Sequence, residues 1–251
     1  MAKLKPRYVK MMSSRPTSVA LVGMGPSSSQ FVSYMQKHNR VDDFPDEIWG
    51  INFTANWLAI DKCFLMDGIK KGDGTSEWLM WLKYKREAKF PIIMPFPMSG
   101  FDNVVPYPIY DVVRLTGEMW YNNTLAYAMA YACALGSVKR LDLWGCDFAY
   151  TQRVADMDAA GKETIAKMEA GSKEREEEVA KVDQQIKHFV HNIETGHACG
   201  AYWAGLCRGF GVKVRVPTIS SFLDYEKRDF YGYGNMQPDI KQPTETVKAN
   251  P

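Results

Sequence analysis

Short apolar runs that stop abruptly on Gly, Asn or Asp, with helix signals between them, constrain this chain more than any other feature. Ser18-Val-Ala-Leu-Val22 stops at Gly23, and Glu47-Ile-Trp-Gly-Ile51 at Asn52. Lys62-Cys-Phe-Leu-Met66 stops at Asp67, and Arg140-Leu-Asp-Leu-Trp144 runs into Gly145-Cys-Asp147. Runs of this length, apolar on both faces, suit strands buried inside a parallel sheet. Further short strands are expected within Phe90–Pro97 and Val212–Val216. Helix signals fall between the runs: Ser27–His38 with Pro26 at its first turn, 76–87, the Ala-rich Thr124–Gly136, and Ala198–Phe210. The alternation predicts an α/β fold, Rossmann-like, with a mostly parallel sheet and helices on both faces.

One segment breaks the alternation. Residues 151–187 hold nine acids and seven bases with no aromatic residue and no proline. From there Val182, Ile186, Phe189 and Ile193 form a stripe at helical spacing. This predicts a charged helical, lid-like insertion, a solvated arm or a lid, set into one nucleotide-binding body over 17–150 and 188–230. A basic arm (1–16) with five positive charges and no acid precedes the body, and a loose polar tail (231–251) follows it.

The net charge of +2 singles out no partner. Five scattered cysteines without a C-x-x-C pair read as free thiols of a reducing cytoplasm, not as a zinc or disulfide framework. The start lacks the apolar core of a signal peptide, and the longest apolar run, Leu125–Leu135, is far shorter than the ~20 residues a membrane span needs. The expectation is a cytoplasmic protein with no membrane span. A homo-oligomer stays open.

Three strand ends, one helix start and one late helix carry the polar residues that could do chemistry. Gly23-Met-Gly-Pro-Ser27 turns from strand to helix, where glycines allow close approach and helix amides attract anionic oxygens. It matches neither the Walker nor the dinucleotide pattern, so a tight turn and a phosphate site are equally good readings. Asn52 stands where a side chain would enter the crevice of a parallel sheet, or would cap the next helix. Asn123 and Thr124 open the Ala-rich helix and present a second set of amides. Asp147 and Tyr150 follow the strand Arg140–Trp144; the carboxylate could bind a metal, orient a substrate or cap structure, and the phenol could assist a leaving phosphate. His197 follows Gly196 and is expected to open the last helix, where the positive end would favour a neutral imidazole able to act as a base, or as a cap. No cluster of metal ligands is evident.

Taken in order, these blocks resemble the small bacterial sialyltransferases of lipo-oligosaccharide synthesis. The shared features are Gly23-Met-Gly-Pro-Ser27, Gly50-Ile-Asn52, the helix ending Ala134-Leu-Gly136, Arg140-Leu-Asp-Leu-Trp-Gly-Cys-Asp-Phe148, a charged insertion, and Gly196-His197. Asp147-Phe-Ala-Tyr-Thr151 also resembles a broader family that includes flagellin-glycosylating motility factors and a hydroxymethylpterin pyrophosphokinase. The resemblance implies a glycosyltransferase moving a sugar from a nucleotide-activated donor to a hydroxyl acceptor, a glycan or else nucleic acid, with no cofactor or metal required. Gly23, Gly25, Pro26 and Ser27 would line the nucleotide phosphates, Asn52 the ribose or donor sugar, and Asn123 and Thr124 the phosphate. Tyr150 would assist the leaving group and His197 would be the general base. Met24 stands where the family has asparagine, and the insertion has no tyrosine, so the sialic acid donor itself is not carried over. Alternatives are a pyrophosphokinase-like transferase or a non-catalytic nucleotide-binding or assembly protein.

Overall fold

The computed structural model describes residues 14–37, 44–66, 88–97, 101–148, 151–217, 220 and 222. Seven strands form one all-parallel sheet: β1 (Ser18–Val22), β2 (Glu47–Ile51), β3 (Lys62–Phe64), β4 (Ile92–Met94), β5 (Val104–Pro106), β6 (Arg140–Trp144) and β7 (Lys213–Arg215). Among the described residues five α-helices accompany them: α1 (Ser28–Lys37), α2 (Ile109–Thr116), α3 (Thr124–Leu135), α4 (Thr151–Ala166) and α5 (Lys173–Gly209). This is the expected Rossmann-like α/β architecture. The helix expected over 76–87, the basic arm to residue 13, Tyr150 and the tail beyond 222 lie outside the described residues.

The strand order is β5-β4-β3-β2-β1-β6-β7. The chain lays down β1 to β5 in one direction, then returns past β1 to add β6 and β7. The order therefore reverses between β1 and β6, and at such a point the loops leaving the two carboxyl ends part and open a crevice. Register places Val22 beside both Gly50 and Trp144, so these strand ends lie level at one rim.

The period of two along β1 explains why it reads as continuously apolar. Val19 and Leu21 face a core shared with α3 and α5, while Ala20 and Val22 face Phe31 of α1 on the other side. In α3, Ala126, Ala128, Ala130 and Ala132 are fully buried, so small side chains bring that helix close to the sheet and to Trp203 and Cys207 of α5. Asn123 caps α3 by accepting the Ala126 N–H at 2.8 Å, and Gly136 ends it at φ 67°.

The insertion is an antiparallel helical hairpin. Gly161 of α4 is buried against Val182 of α5, and exposed pairs such as Lys162–Asp158 and Lys187–Asp183 lace the outer surfaces. Its second helix has no break at residue 187 or at Gly196. It runs on for 37 residues into the body, where Cys199, Trp203 and Cys207 enter the core. No helix among the described residues is long and apolar enough to cross a membrane.

Candidate active site

At the switch point the two parting loops interlock through glycine. The Gly23 N–H donates to the Trp144 carbonyl and the Gly25 N–H to the Gly145 carbonyl, both at 2.7 Å. A Cβ on Gly23 would stand 2.5 Å from the Gly145 oxygen, and one on Gly145 would stand 2.5 Å from the Gly23 oxygen. Contacts that short are excluded for carbon, so only glycine on both loops lets the backbones meet. Gly25 is similarly tight, with 2.7 Å to Asp147 Oδ2.

Two predicted ligand contacts turn out to hold this interlock together. Ser27 Oγ accepts the Gly145 N–H at 2.8 Å, and Asp147 Oδ2 accepts the Ser27 N–H at 2.6 Å. Asp147 Oδ1 accepts the Ser220 hydroxyl. Both residues are buried and neither lines the crevice. The carboxylate thus occupies the positive end of α1, where a phosphate was expected. The amides of Gly23, Gly25, Ser27 and Ser28 are all spent on protein acceptors.

The other expected residues do converge. A cavity of about 550 Å³ opens at this rim, lined by Gly23, Gly25, Pro26, Asn52, Asn123 and Thr124 together with Met24, Asn122 and Phe148. Its volume suits a nucleotide-sized ligand. No charged side chain stands on its described wall, so anionic charge would have to be met by backbone dipoles. The N-terminus of α3 supplies them: among the described residues the Thr124 and Leu125 N–H groups meet no acceptor.

Opposite stands Asn52, held in the left-handed region at φ 55° with its Oδ1 buried and without a hydrogen-bond partner among the described residues. Its backbone is fixed by the bond from its N–H to Phe64 and by the Cys63 thiol donating to its carbonyl. The expected helix-capping role for its side chain is therefore not used. Phe148 at the end of β6 is also left-handed, at φ 51°. Two such non-glycine residues on one cavity wall mark a place where backbone strain is retained. Phe148 and Asn122 were missed by sequence reasoning, although both lie inside the blocks it singled out.

His197 is not at a helix start. It lies well inside α5, so no helix end faces its imidazole, and the capping role is likewise absent. Its ring packs edge-on against Phe148 and Phe222, each at a centroid distance of 5.6 Å. The preceding Gly196 lets α5 come close: a Cβ there would lie 3.3 Å from the Phe148 ring. The Gly196 carbonyl accepts Asn123 Nδ2 at 2.6 Å, tying the helix that carries His197 to the cavity wall. His197 is half-buried beside that wall without lining it.

Burial pushes the Cys146 thiol on the cavity wall far above its ordinary range, and the adjacent Asp147 adds to the effect. That thiol is no nucleophile. Among the described residues no three His, Cys, Asp or Glu side chains gather as a metal site.

Fold and cavity together define a Rossmann-like α/β protein with a neutral, amide-ended cleft at its topological switch point. Comparison with protein-family models, with curated proteins and with solved structures returns no match.

Proposed function

We propose that this cleft binds a nucleotide-activated sugar and that the protein transfers the sugar to a hydroxyl acceptor. The observation that carries the reading is the convergence of Gly23, Gly25, Pro26, Asn52, Asn123 and Thr124, from two separate strand ends and one helix start, on one cavity. The ligand's phosphates lie at the α3 N-terminus, where the Thr124 and Leu125 amides stabilise the charge that develops on the leaving group. The Asn52 Oδ1 accepts a hydroxyl of the ribose or sugar, and the glycine turn forms a floor without side chains.

In the transfer step the acceptor oxygen bonds to the anomeric carbon as the bond from that carbon to the phosphate oxygen breaks. The electron pair leaves with the nucleotide, and the acceptor proton passes to the His197 imidazole. Support for His197 is its position on the helix turn bonded to Asn123 and beside Phe148. With the leaving charge received by amides, the step takes no metal ion. Activity that survives EDTA separates this reading from pyrophosphoryl transfer, which requires Mg²⁺.

A panel of nucleotides and nucleotide sugars tested by thermal shift decides the binding half. A ligand at about 100 times its Kd adds roughly 2.7 kcal/mol of apparent stability. No shift with any member removes the reading. His197→Ala is expected to abolish turnover while leaving the shift intact; unchanged turnover removes His197 as the base. A second reading, nucleotide binding without catalysis, is favoured by Met24, 59% exposed within the turn, and by the aromatic packing around His197. Full binding without turnover in the native protein selects it.

A further inference from the structure

Just before Asn122 enters the cavity wall, the chain exposes apolar side chains on a rigid base. Met119 is 79% and Trp120 45% exposed. The base is fixed from below: the Trp120 carbonyl accepts the buried Trp203 indole N–H at 2.7 Å and the Cys199 thiol at 3.4 Å. Tyr121 is stacked on Tyr127 at 4.5 Å and on Trp203 at 5.2 Å. Above this layer the Trp120 ring meets Tyr202 at 5.3 Å, and the nearby Glu118 carboxylate pushes the Tyr202 phenol above its ordinary range. An indole left in water on a backbone that cannot move aside is preorganised for a flat partner.

We propose that Trp120, with Met119, Glu118 and Tyr202, is the acceptor subsite, and that it takes a neutral saccharide. The inference rests on the transferase reading for its role as acceptor site. A pyranose presents one face of polarised C–H groups, which suits the negative face of an indole, and hydroxyls at its rim, which suit the Glu118 carboxylate as acceptor. Charge decides against a polynucleotide, whose bases could also stack. The segment 109–123 carries Asp111, Arg114 and Glu118, a net charge of −1, and Arg114 already pairs with Asp111 at 3.2 Å. A phosphate backbone needs unpaired Lys or Arg along its path, and this surface offers a carboxylate. The short path along the chain from Trp120 to Asn122 sets the acceptor beside the cavity.

The test is saturation-transfer NMR on the full chain with cellotetraose, chitotetraose, N-acetyllactosamine and a short oligothymidylate as probes. At least one saccharide is expected to bind the native protein. Trp120→Ala is expected to weaken that binding about tenfold or more, and Trp120→Phe to retain most of it. Glu118→Gln reads the same surface should Trp120→Ala lose its cooperative unfolding transition, and is expected to weaken binding severalfold. No saccharide binding to the native protein, equal binding by the native protein, Trp120→Ala and Glu118→Gln, or tighter binding of the oligothymidylate overturns the proposal. Nucleotide-induced thermal shift is measured on the same samples. Its presence with no saccharide binding overturns the acceptor subsite alone, and its absence overturns the transferase reading instead.

Discussion

Asp147 Oδ2 accepts the Ser27 N–H at 2.6 Å across 120 residues of sequence, so a buried carboxylate already sits at the positive end of α1. The two helix starts that face the crevice are therefore not equivalent. The α1 end is neutralised from within the protein, and the α3 end is open. An anion in the proposed site would meet open amides at Thr124 and a buried carboxylate behind Ser27. Asp147→Ala removes the bonds from Ser27 and Ser220 together and is expected to cost roughly 2–4 kcal/mol. Asp147→Asn keeps the acceptor for Ser27, loses less stability, and removes the charge that repels phosphate. Urea midpoints at constant slope measure the first effect, and pyrophosphate binding measures the second, expected to be tighter in Asp147→Asn.

The glycine interlock separates two costs that usually travel together. Gly117 and Gly145 both have positive φ, 75° and 64°, but only Gly145 would collide, with the Gly23 carbonyl. Gly117→Ala is expected to cost about 1 kcal/mol, the backbone penalty alone. Gly145→Ala adds overpacking of the order of 1–3 kcal/mol more. Equal melting temperatures for the two variants would show that the loops are not in contact.

Strain at Asn52 is set against stability. Glycine accepts φ 55° without penalty, and it also removes the orphaned buried oxygen. Asn52→Gly is expected to raise stability by roughly 0.5–1 kcal/mol while weakening nucleotide binding. A variant that is less stable and binds nucleotide normally would mean that Oδ1 has a structural partner.

At the amino ends of β1 and β2, away from the cleft, the Thr17 hydroxyl bonds Asp46, and the backbone N–H groups of Ser18 and Thr17 add to it. Together they hold the Asp46 carboxyl below its ordinary value of 3.8 against the opposing effect of burial. A carboxyl depressed in the folded state adds stability above its unfolded pKa and loses it as pH falls through the folded one. Asp46→Asn is thus expected to flatten the loss of stability below about pH 4, and because the group is largely exposed the effect is small. Unfolding midpoints of both proteins between neutral pH and acid measure it; parallel curves remove the claim.

The strands that mattered most were legible because burial on both faces writes a plain signal. The runs at 18–22, 47–51 and 140–144 coincide with β1, β2 and β6. Asn52 and Asn123 were legible for a related reason, since a polar residue directly after a buried strand or before an Ala-rich helix has few places to go. The edge strand Val104–Pro106 is too short to show a period, and in α2, entered through Pro108, the helical spacing of Ile109, Val112 and Val113 extends over only eight residues and is easily passed over. His197 was misplaced because Gly196 reads as a break. In the fold Gly196 stays helical, since the Phe148 ring needs the room, and close packing outweighs the propensity of one residue. The partners of Ser27 and Asp147 lie more than a hundred positions away in the chain and are set by topology alone.

An unbroken α5 has a mechanical consequence. At 1.5 Å per residue its 37 residues make a rod of about 55 Å, anchored at one end among Cys199, Trp203 and Cys207 and reaching past the body at the other. Its helical backbone continues unbroken through Gly196 and Gly200. The hairpin tip near Ser172 is therefore connected without interruption to Gly196, whose carbonyl accepts Asn123 Nδ2 on the cavity wall. The charged arm and the cap of α3 are thus joined through one unbroken helix and a single hydrogen bond.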